Sequence, residues 1–80
     1  MSNRLYIANL DYSTSQHELR EAFEPFGVLE SVAVLTGKSR GFGFVEYKHA
    51  HDARRASESL DGHDLDGRRI SVRVERQRGA

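Results

Sequence analysis

The side chains with the clearest chemical potential are aromatic rings that stand beside basic residues. Phe42 and Phe44 alternate with glycine in the run Arg40-Gly41-Phe42-Gly43-Phe44-Val45-Glu46-Tyr47, and Tyr6 lies in an apolar stretch near the start of the chain. A flat ring offers a stacking surface, and an arginine beside it adds positive charge and a planar group. Whether the three rings act together depends on the elements that carry them.

The hydrophobic pattern predicts strands and helices in the order βαββαβ. The predicted strands are residues 5–10, 28–35, 40–47 and 69–74. A capping box of Ser15 and Glu18 starts a first helix that ends near Glu24, and a second helix covers residues 51–59. Turns are expected at 36–39 and at Asp66-Gly67. This order is that of the α+β, ferredoxin-like fold, a four-stranded antiparallel sheet with two helices on one face.

Period-two alternation along the strands separates the two faces of this sheet. One face carries Leu, Ile and Val, including Val74, and is expected to meet the helices. The other face collects Tyr6, Ala8, Ser31, Ala33, Arg40, Phe42, Phe44, Glu46, Ser71 and Arg73. Burying its charges in so small a core would be costly, so the rings are expected to be exposed.

Exposed, clustered rings with cations around them indicate a binding surface. Single-stranded nucleic acid fits, because it offers flat bases on a charged backbone. A second layer over the rings, or a dimer interface, is the alternative that alternation leaves open.

Other chemistry finds little support in the chain. Gly37-Lys38-Ser39 resembles the end of a phosphate-binding loop, but position 32 is Val32 instead of glycine, and a strand follows instead of a helix. The four histidines lack partners at metal-ligand spacing. No nucleophile–base pair or carboxylate pair suggests an enzyme, so we predict no catalytic residue, metal or cofactor.

Length and composition indicate one small intracellular domain. The chain has 80 residues and no cysteine, and its twelve basic and twelve acidic residues balance. We expect a monomeric domain over residues 3–76 and a flexible end at residues 77–80, with no signal peptide or membrane span. The charges are segregated: residues 11–30 hold five acids and one base, whereas residues 67–80 hold five arginines and one glutamate.

The octapeptide at residues 40–47 matches every specified position of the ribonucleoprotein motif K/R-G-F/Y-G/A-F-V-x-F/Y. Leu5-Tyr6-Ile7-Ala8-Asn9-Leu10 looks like the companion hexapeptide, and the pattern from Ala53 to Val72 is similar to the second half of the same family. The chain therefore resembles an RNA recognition motif (RRM) domain from about Asn3 to Arg76.

This resemblance implies roles for individual residues. Tyr6 and Phe42 would stack on successive bases, and Phe44 would pack against sugars between them. Ala8 would lie beside them on the same face. Arg40 would pair with a phosphate, as would Lys38 in the short loop before it. Arg73 and the main chain of residues 74–76, which includes Glu75 and Arg76, would contact bases at the sheet edge.

The predicted function is non-catalytic binding of short single-stranded RNA in RNA processing or post-transcriptional regulation, in the nucleus or cytoplasm. Single-stranded DNA stays open as a second ligand. The alternative is a protein-interaction module, because Glu18, Glu21 and Glu24 make the first helix acidic and could meet a protein partner. The family's peptide-binding members carry an Arg-x-Phe triplet that residues 62–67 lack. Both surfaces could act in one protein.

Overall fold

The computed structural model describes residues 3–37 and 40–75, without the side chains of residues 36, 37 and 40. The elements are β1 (Arg4–Ala8), α1 (Gln16–Phe23), β2 (Leu29–Gly37), β3 (Arg40–Tyr47), α2 (Ala50–Leu60), β4 (Asp64–Leu65), β5 (Arg68–Arg69) and β6 (Ser71–Val74). A 3₁₀ turn, Glu24–Phe26, follows α1. The expected flexible end at 77–80 lies outside the described residues.

Four antiparallel strands form the main sheet in the order β2-β3-β1-β6. Both helices pack on one face, where Leu19 and Phe23 of α1 and Ala53 and Ala56 of α2 join the buried strand residues. The strand residues of that core are Leu5, Ile7, Val32, Val45, Tyr47 and Val72. The predicted ferredoxin-like βαββαβ fold is confirmed.

Local signals explain where α1 begins and ends. The Ser15 side chain accepts a hydrogen bond from the Glu18 amide at 3.1 Å, and the Glu18 carboxylate accepts one from the Ser15 amide at 2.9 Å. This reciprocal capping box satisfies two amides that the helix leaves without partners. Pro25 lacks an amide hydrogen, and the regular helix ends at Phe23.

The end of the chain differs from the expectation of one strand over residues 69–74. Arg68 and Arg69 pair instead with Asp64 and Leu65 in a separate hairpin, and only residues 71–74 join the main sheet. Val74, expected in the core, is 40% exposed. It lies at the end of the edge strand β6, opposite Leu5 of β1, where neighbours cover it only in part.

The outer side of β6 is held by α2. Ser57 donates its hydroxyl hydrogen to the Val72 carbonyl at 3.2 Å, and the Asp61 carboxylate accepts from the Val72 amide at 2.9 Å. These two side chains occupy the main-chain groups of Val72 that a neighbouring strand would otherwise pair. No helix among the described residues is long and apolar enough to cross a membrane.

Candidate nucleic-acid interface

The strand register arranges the face opposite the helices into three rows that cross β2, β3, β1 and the β6 edge in that order. The ring row consists of Ala33, Phe44, Tyr6 and Arg73. The apolar row beside it consists of Leu35, Phe42, Ala8 and Ser71. The polar row, on the other side of the ring row, consists of Ser31, Glu46, Arg4 and Glu75. Six of the predicted residues thus share this face: Tyr6, Ala8, Phe42, Phe44, Arg73 and Glu75.

The three aromatic rings form one cluster. The Tyr6 ring centroid lies 5.7 Å from that of Phe42 and 5.5 Å from that of Phe44, with the planes tilted by 40° and 56°. Phe42 and Phe44 meet edge to face at 6.1 Å. Tyr6 is 37% exposed, and both phenylalanines are partly exposed. Among the described residues no second layer of the fold covers the cluster, so it keeps open surface for a planar ligand.

Glycines bring the main chain on the helix side of β3 close to its neighbours. The Leu10 amide donates to the Gly41 carbonyl at 2.8 Å. A Cβ atom on Gly41 would lie 1.9 Å from the Leu10 carbonyl oxygen, a distance that no real contact allows. The close approach requires glycine at position 41, on the face opposite Phe42 and Phe44.

Arg4 is the main residue of this face that the sequence analysis missed. Its guanidinium carbon lies 4.4 Å above the centre of the Phe44 ring, and its Nε lies 3.1 Å from Glu75 Oε1. Alternation could have found it, since Arg4, Tyr6 and Ala8 are spaced by two. Arg4 adds a planar cation to the rings at the polar row.

Leu35 was also left out of the predicted site. It lies opposite Phe42 on β2, two residues after Ala33 on the same face, and is 46% exposed. An exposed leucine next to an exposed ring enlarges the apolar surface toward the β2 edge. It thereby widens the area on which a flat ligand can rest.

Three of the residues predicted to contact RNA have no described side chain. Lys38 and Arg76 lie outside the described residues, and of Arg40 only the main chain is described, paired with Gly37 at the end of β3.

Glu75 lies next to Arg4, with its amide donating to the Arg4 carbonyl at 2.8 Å. Val45 and Tyr47 alternate with Phe44 and Glu46 along β3 and are fully buried on its other face.

Among the described side chains, two titratable groups have shifted pKa values, and both lie away from the rings. Hydrogen bonds from the Ser13 hydroxyl and the Ser13 amide lower the pKa of Asp11. Burial, and secondarily the negative charge of Asp52, raises the pKa of the Tyr47 phenol. Within residues 3–37 and 40–75 no group of three potential ligands is placed to hold a metal ion.

A network joins the loop after β1 to the β4–β5 hairpin at the edge of the interface. The Asn9 amide donates to the Arg69 carbonyl at 2.7 Å, and Arg68 donates to the Asn9 side chain. The Thr14 hydroxyl donates to Asp66 at 2.9 Å. These contacts hold in place the loop that follows Ala8.

Comparison with known proteins shows what this chain is similar to. It is 38% identical over 92% of its length to U1 small nuclear ribonucleoprotein 70 kDa of Xenopus tropicalis, of which it covers 17%. It is 36% identical over its whole length to glycine-rich RNA-binding protein 4, mitochondrial, of Arabidopsis thaliana, of which it covers 62%. The chain thus spans only part of these curated relatives, about a sixth of the first.

Two solved structures are also similar to the chain. The crystal structure of RNA binding protein PG1 is 34% identical to the chain and superposes with a TM-score of 0.85, covering 99% of this chain and 100% of that one. The Mip6 RRM3 domain, at 22% identity and a TM-score of 0.87 over 92% and 93% of the two chains, shares the fold. The RNA recognition motif family model matches residues 5–71, and the chain belongs to that family.

Proposed function

We propose that this chain binds short single-stranded RNA on its open sheet face and catalyses no reaction. The observation that carries this proposal is the cluster of Tyr6, Phe42 and Phe44, partly exposed on one face and flanked by Arg4 and Arg73. Stacking on an aromatic side chain contributes about 1–3 kcal/mol per base, so a few bases suffice for specific contact. Family membership and relatives named as RNA-binding proteins support the same ligand.

In this proposal Tyr6 and Phe42 stack on successive bases and Phe44 packs against the sugar between them. Arg73, directly opposite Tyr6 and exposed at the β6 edge, contacts a phosphate or a base. Arg40 and Lys38 neutralise phosphates at the β2–β3 end. The main chain at Glu75 and Arg76 meets a base at the sheet edge, and Ala8, beside Phe42, leaves room for one.

We place residues 3–76 in a single monomeric RNA-binding domain that serves RNA processing or post-transcriptional regulation inside the cell. The name of the U1 small nuclear ribonucleoprotein relatives supports a nuclear process, whereas other relatives are named mitochondrial. Single-stranded DNA offers the same phosphates and, apart from thymine in place of uracil, the same bases, so we expect it to compete for the same face.

A protein-interaction module on α1 is the second candidate. An open groove at the end of α1 is lined by Glu24, Pro25 and Phe26 and by Val28, which is 60% exposed. Glu21 and Glu24 are exposed beside it. This groove lies away from the rings, so substitutions distinguish the two functions.

The test is an RNA titration of the wild type and the Phe42→Ala/Phe44→Ala variant with a randomised octamer pool at fixed moderate salt. Loss of one base-stacking ring and one sugar-packing ring is expected to weaken binding at least about fivefold. Val28→Ala, on the α1 side, is the matched control and keeps wild-type affinity. Thermal melts verify that each variant is folded. An unchanged affinity in the folded double variant contradicts the proposal, and a wild type that binds no RNA in the pool favours the protein-interaction module instead.

A further inference from the structure

The polar row has a composition that phosphate binding does not explain. Two of its four members, Glu46 and Glu75, are acidic, although the ligand proposed for this face is a polyanion. An ionised carboxylate repels phosphate and only accepts hydrogen bonds. A base edge that donates hydrogen bonds is the part of RNA that fits this row.

Neighbouring side chains hold both carboxylates. The Ser31 hydroxyl donates to Glu46 Oε1 at 3.1 Å across β2 and β3. Glu75 is paired with Arg4 at 3.1 Å, and Arg4 in turn lies over the Phe44 ring at 4.4 Å. Glu46 therefore stands between a hydroxyl on one side and a guanidinium on the other. It is next to Phe44 along the face of β3 and only partly exposed.

We infer that this row reads a guanine, with the Glu46 carboxylate accepting from the base's N1–H and N2–H groups; the inference rests on the proposed function. Guanine presents two adjacent donors on its Watson–Crick edge, and a carboxylate can accept both at once. Its O6 acceptor, next to these donors, suits a hydrogen bond from the Arg4 guanidinium.

The other three bases form fewer favourable hydrogen bonds with the polar row. Adenine and cytosine each offer one amino group beside a ring nitrogen that accepts, so a carboxylate gains one hydrogen bond and faces one lone pair. Cytosine ranks above adenine because its Watson–Crick edge offers Arg4 two adjacent acceptors, N3 and O2, whereas that of adenine offers only N1. Uracil places its single N–H between two carbonyl oxygens, both of which repel the carboxylate. The expected order is guanine, cytosine, then adenine and uracil.

The position of the row also explains how a base reaches it. Single-stranded RNA is read through unstacked bases that lie on aromatic rings and expose their edges to polar side chains. Glu46 and Arg4 flank Phe44 and Tyr6 along their strands, so a base on these rings directs an edge to the polar row. The charged backbone then runs toward Arg73, away from the carboxylates.

The test uses four RNA octamers that consist of uridine except at the fourth position, where the base is guanine, adenine, cytosine or uracil. For the wild type, the guanine octamer is expected to bind about tenfold tighter than the adenine octamer, within the range of one good bidentate contact. Glu46→Gln replaces the two acceptor oxygens of the carboxylate by an amide with one acceptor and one donor. This pair matches the amino group and the ring nitrogen N1 of adenine. The variant's preference for guanine over adenine is expected to fall below about threefold. Ser31→Ala, which frees the carboxylate, lowers the preference in the same direction.

Glu58→Gln, the same change on the exposed side of α2, is the control and keeps the wild-type order. A folded Glu46→Gln variant that retains the full guanine preference overturns the inference. So does a wild type that binds all four octamers equally through the rings, and in both cases the proposed function stands. A wild type that binds none of the octamers overturns the proposed function and the inference together.

Discussion

At the scale of single residues, the neighbours of each ring decide what it can do. Tyr6 has Phe44 opposite it on β3 and Arg73 opposite it on β6, so a base on Tyr6 lies between a ring and a cation. Phe44 already carries the Arg4 guanidinium on its face. An RNA ligand either stacks onto this guanidinium or displaces it, and Arg4 belongs with the three rings in any account of binding.

The assignment of faces predicts unequal effects for two arginines. Arg73→Glu is expected to weaken RNA binding about tenfold or more, because it replaces a contact by a repulsion beside Tyr6. Arg54→Glu makes the same charge change on α2 and is expected to have an effect of less than about threefold. Fluorescence anisotropy with one RNA at one salt concentration measures both. Equal losses would contradict the assignment of the binding face to the open sheet.

At the scale of elements, Tyr47 connects β3 to α1. Its side chain is fully buried, and its hydroxyl donates to the Phe23 carbonyl at 2.6 Å. Phe23 ends the helix, so its carbonyl is one of those that the helix itself leaves without a donor. The same strand presents Phe42 and Phe44 on its other face. The packing that anchors β3 thereby also supports the rings.

Tyr47→Phe is expected to lower the free energy of unfolding by about 1–2 kcal/mol at neutral pH, because the buried Phe23 carbonyl loses its donor. Burial raises the pKa of Tyr47, so above about pH 10 the unfolded chain releases this proton more readily than the folded one. The stability contributed by protonated Tyr47 is therefore present below that pH and lost as the pH rises. Tyr47→Phe has no phenol to ionise at this position, so its free energy of unfolding does not fall in this way at alkaline pH.

Urea unfolding between about pH 8 and pH 11 measures both effects. Tyr12→Phe, which changes an exposed tyrosine in a loop, is the control and keeps the wild-type stability at neutral pH. An equal stability of Tyr47→Phe and wild type at neutral pH would show that the hydroxyl contact does not support the fold.

At the scale of the whole molecule, charge is balanced in number but divided in space. The formal net charge is zero, yet residues 11–30 hold five acids and one base, whereas residues 67–80 hold five arginines and one glutamate. Long-range attraction of RNA is therefore weak, and local contacts carry the binding. A strongly basic domain of the same fold would bind any RNA more tightly and discriminate less.

This division predicts a shallow salt dependence. If Lys38, Arg40 and Arg73 are the phosphate contacts, the slope of log affinity against log salt is expected to be about −2, at roughly 0.7 per single-strand phosphate. Raising the salt from about 50 to 200 mM would then weaken binding about 15-fold. Arg73→Glu removes one phosphate contact, so it is expected to lower the magnitude of the slope by roughly 0.7. A slope beyond about −5 would mean that other cations carry the affinity.

The sequence by itself determined the features that depend on local periodicity. Side chains two residues apart share a face of a strand, so Tyr6, Phe42 and Phe44 could be assigned to one surface, and Val45 and Tyr47 to the core, without coordinates. The start of α1 followed from Ser15 and Glu18, whose hydrogen bonds connect residues three apart. Element order sufficed for the fold class because few topologies accommodate it.

Only the tertiary structure decided which residues meet across strands. Register between β1, β3 and β6 joins positions 34 to 69 residues apart. The pairing of β2 with β3 includes an irregularity between Leu29 and Ser31 that shifts the register there. That register places Arg4 over Phe44 and Glu46 between Ser31 and Arg4. The separate β4–β5 hairpin and the exposure of Val74 likewise depend on what surrounds them, which no local pattern records.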